Sequence, residues 1–327
     1  MAATLRHIAL PSWPNAPYPK FPRYAFASAL MARLQREILD WRQLSPLTRG
    51  APPPPTLLSF TPAPIYTFGR RQREQLPAGR EASLLTAPLR VSSSLAFEPQ
   101  FAHAPRGGLA TYHGPGQLVL WPVVDLRSPQ HANLRVREYA CLLEQTTIAA
   151  LLREAGGAWH TDPDNPGVWA GGGGDAERKV AALGVYLRRS VTGLGVAVNY
   201  ATPVAGGPAE NPWARIVPCG IEGRGVTSVR EEEERRRKSY QVDEDRKGKK
   251  GKKGEQEEGE EVAMRRLADT WAKEFAKRLG AKGGVEAKRL DEVACVSGCE
   301  DDGSYAEACE YADLIEARRR PADNHRV

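Results

Sequence analysis

Between residues 24 and 44 the chain places Leu30, Leu34, Ile38 and Trp41 at three- and four-residue steps, the spacing of one apolar helix face. The same period recurs over 134–153, through Val136, Ala140, Leu143, Thr147 and Leu151, and over 262–279, through Val262, Leu267, Trp271, Phe275 and Leu279. Shorter apolar runs lie between these helices. Leu57–Phe60, Ile65–Phe68 and Leu89–Val91 have the length of strands, the first two held apart by Pro62 and Pro64. KVAALGVYL from Lys179 and GLGVAVNY over 193–200 predict two longer strands, paired as a hairpin across Arg188, Arg189 and Ser190. The segment 106–124 reads as a glycine-rich loop flanked by strands.

Other stretches lack either period. Residues 1–23 are Pro-rich and expected to be extended, and 45–56, with Pro52 to Pro55, reads as a stiff linker. Residues 156–175 look loop-rich and end in Gly171 to Gly174. Over 230–261 acidic and basic residues follow one another in blocks that cannot bury a core, a composition expected to remain disordered. The tail after 285 is polar and weakly patterned. The expected architecture is an α/β catalytic domain over 24–327, interrupted by the charged insert. Strands and helices do not alternate as clean βαβ units, so a mixed β-sheet with flanking helices is expected rather than a doubly wound parallel one.

Charge changes this picture little. There are 46 basic and 40 acidic residues, a formal charge of +6, which ordinary solubility accommodates. No apolar stretch approaches the ~20 residues of a membrane span. The first acidic residue is Glu37, preceded by Arg6, Lys20, Arg23, Arg33 and Arg36. An acid-poor, Arg-containing start suits mitochondrial import, although Pro11, Pro14, Pro17, Pro19 and Pro22 leave little room for an import helix. The five cysteines are an odd number in a long chain, which argues against a disulfide scaffold and leaves a thiol free for chemistry.

Two segments carry candidate chemistry. Arg106-Gly107-Gly108-Leu109-Ala110-Thr111-Tyr112-His113-Gly114-Pro115-Gly116-Gln117 lets backbone approach a ligand closely, with a guanidinium fork and an imidazole beside it. A tight structural turn with a core histidine is the plainer alternative. Cys219, between Pro218 and Gly220, sits where a thiol can be exposed. It becomes a nucleophile only beside a group that favours its thiolate, and is otherwise a small apolar residue. Lys179 is the candidate neighbour, since it opens a predicted core strand, but residue patterning does not by itself bring the two together. A metal site at Cys295, Cys299 and Cys309 is disfavoured by the C-x3-C spacing. No Walker-type phosphate loop is present.

RGGLATYHGPGQLVLWPVVDLR resembles the signature of the lipoyl(octanoyl) transferases. KVAALGVYLRRSVTGLGVAVN and PCGIEGRGVTS resemble the family's second and third blocks, and IYTFGRRQ an upstream element, all in family order over roughly 57–229. Pro105 departs from the acidic residue many members carry there, and the 230–261 insert is foreign to the compact bacterial form. The resemblance implies a fold related to the biotin and lipoate ligase catalytic domain. It implies that Cys219 carries the acyl thioester and Lys179 activates it. Substrate-binding positions would be Arg106 through His113, then Ala182, Leu183 and Gly184, and Gly195, Val196 and Ala197. The donor would be octanoyl-acyl carrier protein. The acceptors would be lysines of lipoyl domains in 2-oxoacid dehydrogenase complexes and of the glycine cleavage H protein. No ATP and no metal would be needed, and no nucleic acid or membrane partner is expected. The oxyanion would be met by backbone N–H groups near Cys219 and Gly220, with His113. An ATP-dependent ligase on the same fold, or an idle carrier-binding protein, are the alternatives.

Overall fold

The computed structural model describes residues 3–12, 21–72, 77–92, 95–131, 133–172, 175–217, 224–246 and 259–290. In chain order the elements are β1 (Leu5–Ala9), α1 (Tyr24–Gln43), β2 (Thr56–Phe60), β3 (Ile65–Phe68), α2 (Gly79–Thr86), β4 (Leu89–Ser92), β5 (Leu95–Phe97), β6 (Gln100–His103), β7 (Ala110–His113), β8 (Gln117–Val123), α3 (Val136–Glu154), β9 (Trp159–Thr161), β10 (Gly167–Gly172), β11 (Asp175–Arg188), β12 (Val191–Asn199), β13 (Gly225–Val226), α4 (Val229–Arg246), α5 (Glu260–Leu279) and β14 (Val285–Lys288).

Among the described residues the main sheet has nine strands in the order β14-β1-β2-β8-β12-β11-β10-β9, with β13 beside β11. β1 runs parallel to both β14 and β2, β13 runs parallel to β11, and the remaining pairs are antiparallel. The mixed sheet is thus as the sequence predicts. One face packs on α3 and α5 through Leu143, Leu151, Trp271 and Phe275. The indole of Trp271 donates to Thr147 Oγ1 at 2.9 Å, which satisfies a buried donor between the two helices. The other face packs on α1 through Leu30, Met31, Leu34 and Ile38. A second sheet, β6-β3-β7, covers a third core of Tyr66, Phe68, Tyr112 and Trp213.

The predicted β11–β12 hairpin is present, and its turn is Arg189-Ser190, with φ of 49° and 69°. Two left-handed residues match the twist of a two-residue hairpin, although neither is glycine. The apolar stripe of α1 also holds, except that Leu39 is buried where Trp41 is only half-buried.

Four sequence expectations are corrected. Leu5–Ala9 is a strand of the main sheet, with Leu5, His7 and Ile8 buried, so the N-terminal segment contributes to the fold; the prolines that follow hid so short a run. Residues 159–161 and 167–172 are strands rather than loop. Gly171 and Gly172 take φ of 95° and 103°, where β10 is irregularly paired as it approaches β11. Residues 229–246 of the charged insert are helical. Their opposite charges fall one turn apart, as in Glu231–Arg235 and Glu234–Lys238, and such pairs support a helix that buries little. Finally, Val285–Lys288 in the polar tail is an edge strand on β1. Residues 247–258 lie outside the described residues.

Candidate active site

The glycine-rich motif is built around Arg106. Its guanidinium is buried and donates to Thr67 O (2.6 Å), Thr67 Oγ1 (2.9 Å), Leu109 O (2.8 Å) and Gly107 O (3.0 Å). It therefore stitches the turn 107–109 to β3. The upstream IYTFGRRQ element explains itself here: a Cβ at Gly69 would stand 2.4 Å from Gly108 O and 2.5 Å from Gly107 O. Only glycine allows this approach. Gly107, Gly108 and Leu109 thus serve the turn. Ala110 and Tyr112 point into the third core, where Tyr112 packs against Tyr66 and Trp213.

The same strand, β7, turns Thr111 and His113 the other way, into a slot. A single cavity is lined by Arg106, Thr111 and His113 from the motif and by Ala182, Leu183 and Gly184 from β11. Gly195, Val196 and Ala197 from β12 line it as well, whereas Gly107, Gly108, Leu109, Ala110 and Tyr112 of the expected set do not. Three further residues line it that the sequence reading did not single out: Tyr24, Trp121 and Leu194. Tyr24, the first residue of α1, stacks on His113 with ring centroids 5.7 Å apart and meets the edge of Trp121 at 5.1 Å. Burial pushes the Tyr24 hydroxyl well above its ordinary range, so it stays a neutral phenol.

The proton on His113 can be placed. Gln117 Nε2 donates to Tyr112 O (3.2 Å) and to Asn199 Oδ1 (2.9 Å), which leaves Gln117 Oε1 as acceptor. His113 Nδ1, 2.8 Å away, must then carry the hydrogen. Burial pushes the ring's pKa down to about 4, against a smaller opposing effect of the Gln117 bond. The neutral ring has one N–H, and Gln117 takes it. Nε2 is consequently an acceptor, and His113 has no hydrogen to offer an oxyanion, contrary to the sequence expectation. Thr111 does: its buried hydroxyl has no hydrogen-bond partner among the described residues.

Lys179 is buried on β11. Its Nζ donates to Pro166 O at 3.0 Å and lies 4.6 Å from the centroid of the Trp169 ring. The side chain runs past Gly167, where a Cβ would stand 3.3 Å from Lys179 Cε. Gly167 is the register partner of Ala182, so the amine's stem lies beside one end of the slot. Glu144 of α3 accepts from Gly167 N at 2.8 Å; burial raises its carboxyl, while Gly167 and Lys179 oppose the rise.

Cys219, Pro218 and Gly220 lie outside the described residues, as do Cys295, Cys299 and Cys309. The chain that follows Cys219 is nonetheless tied to Lys179. Gly225 and Val226 pair in parallel with Arg178 and Lys179, and Thr227 N donates to Lys179 O at 3.0 Å. Arg224 sits 4.5 Å from the centroid of the same Trp169 ring and is ion-paired to Asp162 and Glu177. That guanidinium holds the Asp162 carboxyl well below the usual range. Asn199 Nδ2 donates to Thr227 O at 3.1 Å, so a buried chain of bonds runs from His113 through Gln117 and Asn199 to this segment. Among the described residues no cluster of three metal-ligating side chains occurs.

Comparison with known proteins gives this arrangement a family. Residues 24–244 match the lipoyl protein ligase A/B catalytic domain, and the chain belongs to that family. It is an acyltransferase of the octanoyltransferase kind. A mitochondrial octanoyl-acyl-carrier-protein:protein N-octanoyltransferase of Danio rerio is 38% identical over 183 residues, which cover 56% of this chain and 69% of that one. A probable octanoyltransferase of Schizosaccharomyces pombe is 33% identical over 186 residues, covering 55% and 69%. The octanoyltransferase of Alkaliphilus metalliredigens is 33% identical over 199 residues, covering 61% and 78%.

Proposed function

We propose that this protein moves an octanoyl group from the thioester of an acyl carrier protein, through Cys219, to the lysine amine of a lipoyl domain, in mitochondria and without ATP or metal. The observation that carries this reading is the placement of buried Lys179 beside one end of the slot formed by Thr111, His113 and the small residues of β11 and β12.

In the first half-reaction the Cys219 proton goes to the Lys179 amine as the sulfur attacks the thioester carbonyl. The carbon–sulfur bond to the carrier breaks, and its thiolate leaves with that proton. In the second, the acceptor amine attacks the acyl-enzyme carbonyl, the amide forms as the carbon–sulfur bond to Cys219 breaks, and the proton lost by the amine passes through Lys179 to the Cys219 sulfur. Two displacements on one cysteine require ping-pong kinetics. Thr111 supplies the side-chain hydrogen bond to the acyl oxygen, since its buried hydroxyl is otherwise unsatisfied and such a group costs about 1–3 kcal/mol. His113, held neutral with Nδ1–H on Gln117, presents Nε2 as an acceptor and keeps a second positive charge out of the slot. The acceptors are lipoyl domains of 2-oxoacid dehydrogenase complexes and the glycine cleavage H protein.

The test is intact mass spectrometry after mixing the full chain with octanoyl-acyl carrier protein, without nucleotide. One octanoyl adduct is expected, absent from Cys219→Ala and formed far more slowly by Lys179→Ala. An adduct of equal yield on Cys219→Ala, or a requirement for ATP, overturns the proposal.

A further inference from the structure

The slot has a floor made of cross-strand pairs. On the face of the sheet covered by α1, β11 and β12 place Ala182 opposite Ala197, Gly184 opposite Gly195, and Tyr186 opposite Gly193. Alternate residues share a face of a strand, so Ala182, Gly184 and Tyr186 form one track on β11, and Ala197 and Gly193 lie on the same face of β12. The first two pairs contribute at most a methyl group per residue, and the Arg106 stem lies against Gly184, where a Cβ would stand 2.7 Å from Arg106 Cδ. The third contributes a phenol. Tyr186 lies over Gly193, where a Cβ would stand 2.3 Å from its Cε1. Its hydroxyl donates to Gln35 Oε1 at 2.6 Å, and Gln35 Nε2 donates to Thr192 O at 3.0 Å. The ring is therefore pinned across the track.

Leu194 stands beside this block in an unusual conformation. Strand alternation would turn it with Val196 and Val198 towards the α3–α5 core. Its φ is instead +61°, and it packs in the α1 core, with its N–H on Met31 Sδ at 3.1 Å. A left-handed leucine costs about 1–2 kcal/mol, and strain of this kind persists where the surroundings impose it. Here it brings an isobutyl group into the slot wall.

We propose that Leu194, backed by Tyr186, is the end stop that sets the length of the acyl chain. This rests on the slot being the acyl site. The end that Lys179 borders, by way of Gly167 and Ala182, takes the thioester, and the chain runs along this face beside the Arg106 stem until it meets Leu194. From Ala182 to Tyr186 the track covers ~13 Å at ~3.3 Å per residue, and the phenol ring shortens it to roughly 10 Å, which suits an extended eight-carbon chain and excludes a twelve-carbon one.

The test compares hexanoyl-, octanoyl-, decanoyl- and dodecanoyl-acyl carrier protein as donors to the full chain, read as the ratio of acyl-enzyme adducts. Leu194→Gly removes the stop at a backbone angle glycine tolerates, and Tyr186→Ala removes its backing. Each is expected to raise the dodecanoyl-to-octanoyl ratio about tenfold or more. Ala197→Leu, which fills the track from its floor, is expected to shift the preference below eight carbons. An unchanged ratio in whichever of the three variants fold overturns the end stop. Failure of the unaltered protein to form any adduct overturns the transferase reading instead, so the two failures are distinct.

Discussion

Lys179 and Arg224 share one indole: the ammonium lies 4.6 Å, and the guanidinium 4.5 Å, from the centroid of the Trp169 ring. The charge of Arg224 is met by Asp162 and Glu177, while Lys179 donates to a neutral carbonyl, Pro166 O. Arg224 thus neutralises two carboxylates beside that ring and anchors the chain that leads from Cys219 into β13. The charge of Lys179 also acts on Glu144 of α3, where it opposes the rise that burial causes.

Arg224→Gln should move the pH dependence of Cys219 alkylation to higher pH, because it removes a guanidinium and leaves the Asp162 and Glu177 carboxylates unpaired beside this segment, and added negative charge disfavours a thiolate. Arg224→Lys should restore part of the profile. Iodoacetamide labelling followed by mass, between pH 6 and pH 9, reads it (roughly the range over which thiols titrate). Coincident profiles for all three proteins would refute this charge effect.

Thr111→Val should separate stability from activity. The hydroxyl is buried and unsatisfied among the described residues, so replacing it by an isosteric methyl should leave the melting temperature unchanged or raise it. Losing a hydrogen bond to the developing oxyanion should slow acyl-enzyme formation by about 100-fold. A variant that is destabilised but loads octanoyl at the normal rate would place Thr111 in the fold alone.

Gly184 is constrained by Arg106. A Cβ at position 184 would stand 2.7 Å from Arg106 Cδ, and the far end of that side chain is tethered to Thr67 and Leu109. The chain cannot swing aside without breaking those bonds. Gly184→Ala should cost about 1–3 kcal/mol and impair loading of the slot, measured by urea unfolding and adduct formation on the same sample. An alanine variant as stable and as active as the parent would mean that Arg106 repacks freely.

Two histidines make the fold sensitive to mild acid. His7 is buried against Ser59, with its pKa lowered by burial in spite of Asp269, and the pKa of His113 is lowered to about 4. The unfolded chain binds protons at both sites below about pH 6.5, before the native state does. Their contribution is therefore complete above about pH 6.5 and is lost as pH falls towards each folded-state value. For His113 the loss by pH 5 is about 2 kcal/mol. Urea unfolding at pH 7.5 and pH 5 should show a drop that His7→Gln reduces. Equal drops in parent and variant would exclude His7 as a source.

Much of this site was legible in the sequence, and the reasons differ by residue. Arg106, His113, Ala182 and Gly195 sit in dense local motifs, and one slot does gather them. Gly107, Gly108 and Tyr112 belong to the same motif but build the turn and the core beneath it, because alternate residues of β7 face opposite sides. Tyr24 and Trp121 reach the slot from distant parts of the chain as ordinary apolar residues, and nothing local distinguishes them. Leu194 reads as the inward residue of a regular strand; only its left-handed backbone turns it around. The helix over 229–246 was missed because composition averages over a block, whereas support comes from which charges fall one turn apart.

The buried bonds from His113 to the segment after Cys219 make a last prediction about Asn199. This side chain accepts from Gln117 Nε2 at 2.9 Å and donates to Thr227 O at 3.1 Å. It is the link between the loop that shapes the slot and the strand that carries the chain away from Cys219. Asn199→Ala takes one of two acceptors from Gln117 Nε2 and the side-chain donor from Thr227 O, at about 1–3 kcal/mol for each buried group left unsatisfied. Lost stability alone would not separate linkage from packing, so the informative readout is local. Hydrogen exchange at Thr227, whose amide donates to Lys179 O, should accelerate more than exchange in α3 or α5, and His113 should titrate still further below its ordinary range as the Gln117 bond that raises it is lost. If exchange rises uniformly and the His113 pKa does not move, Asn199 is a core residue and the two motifs are positioned independently.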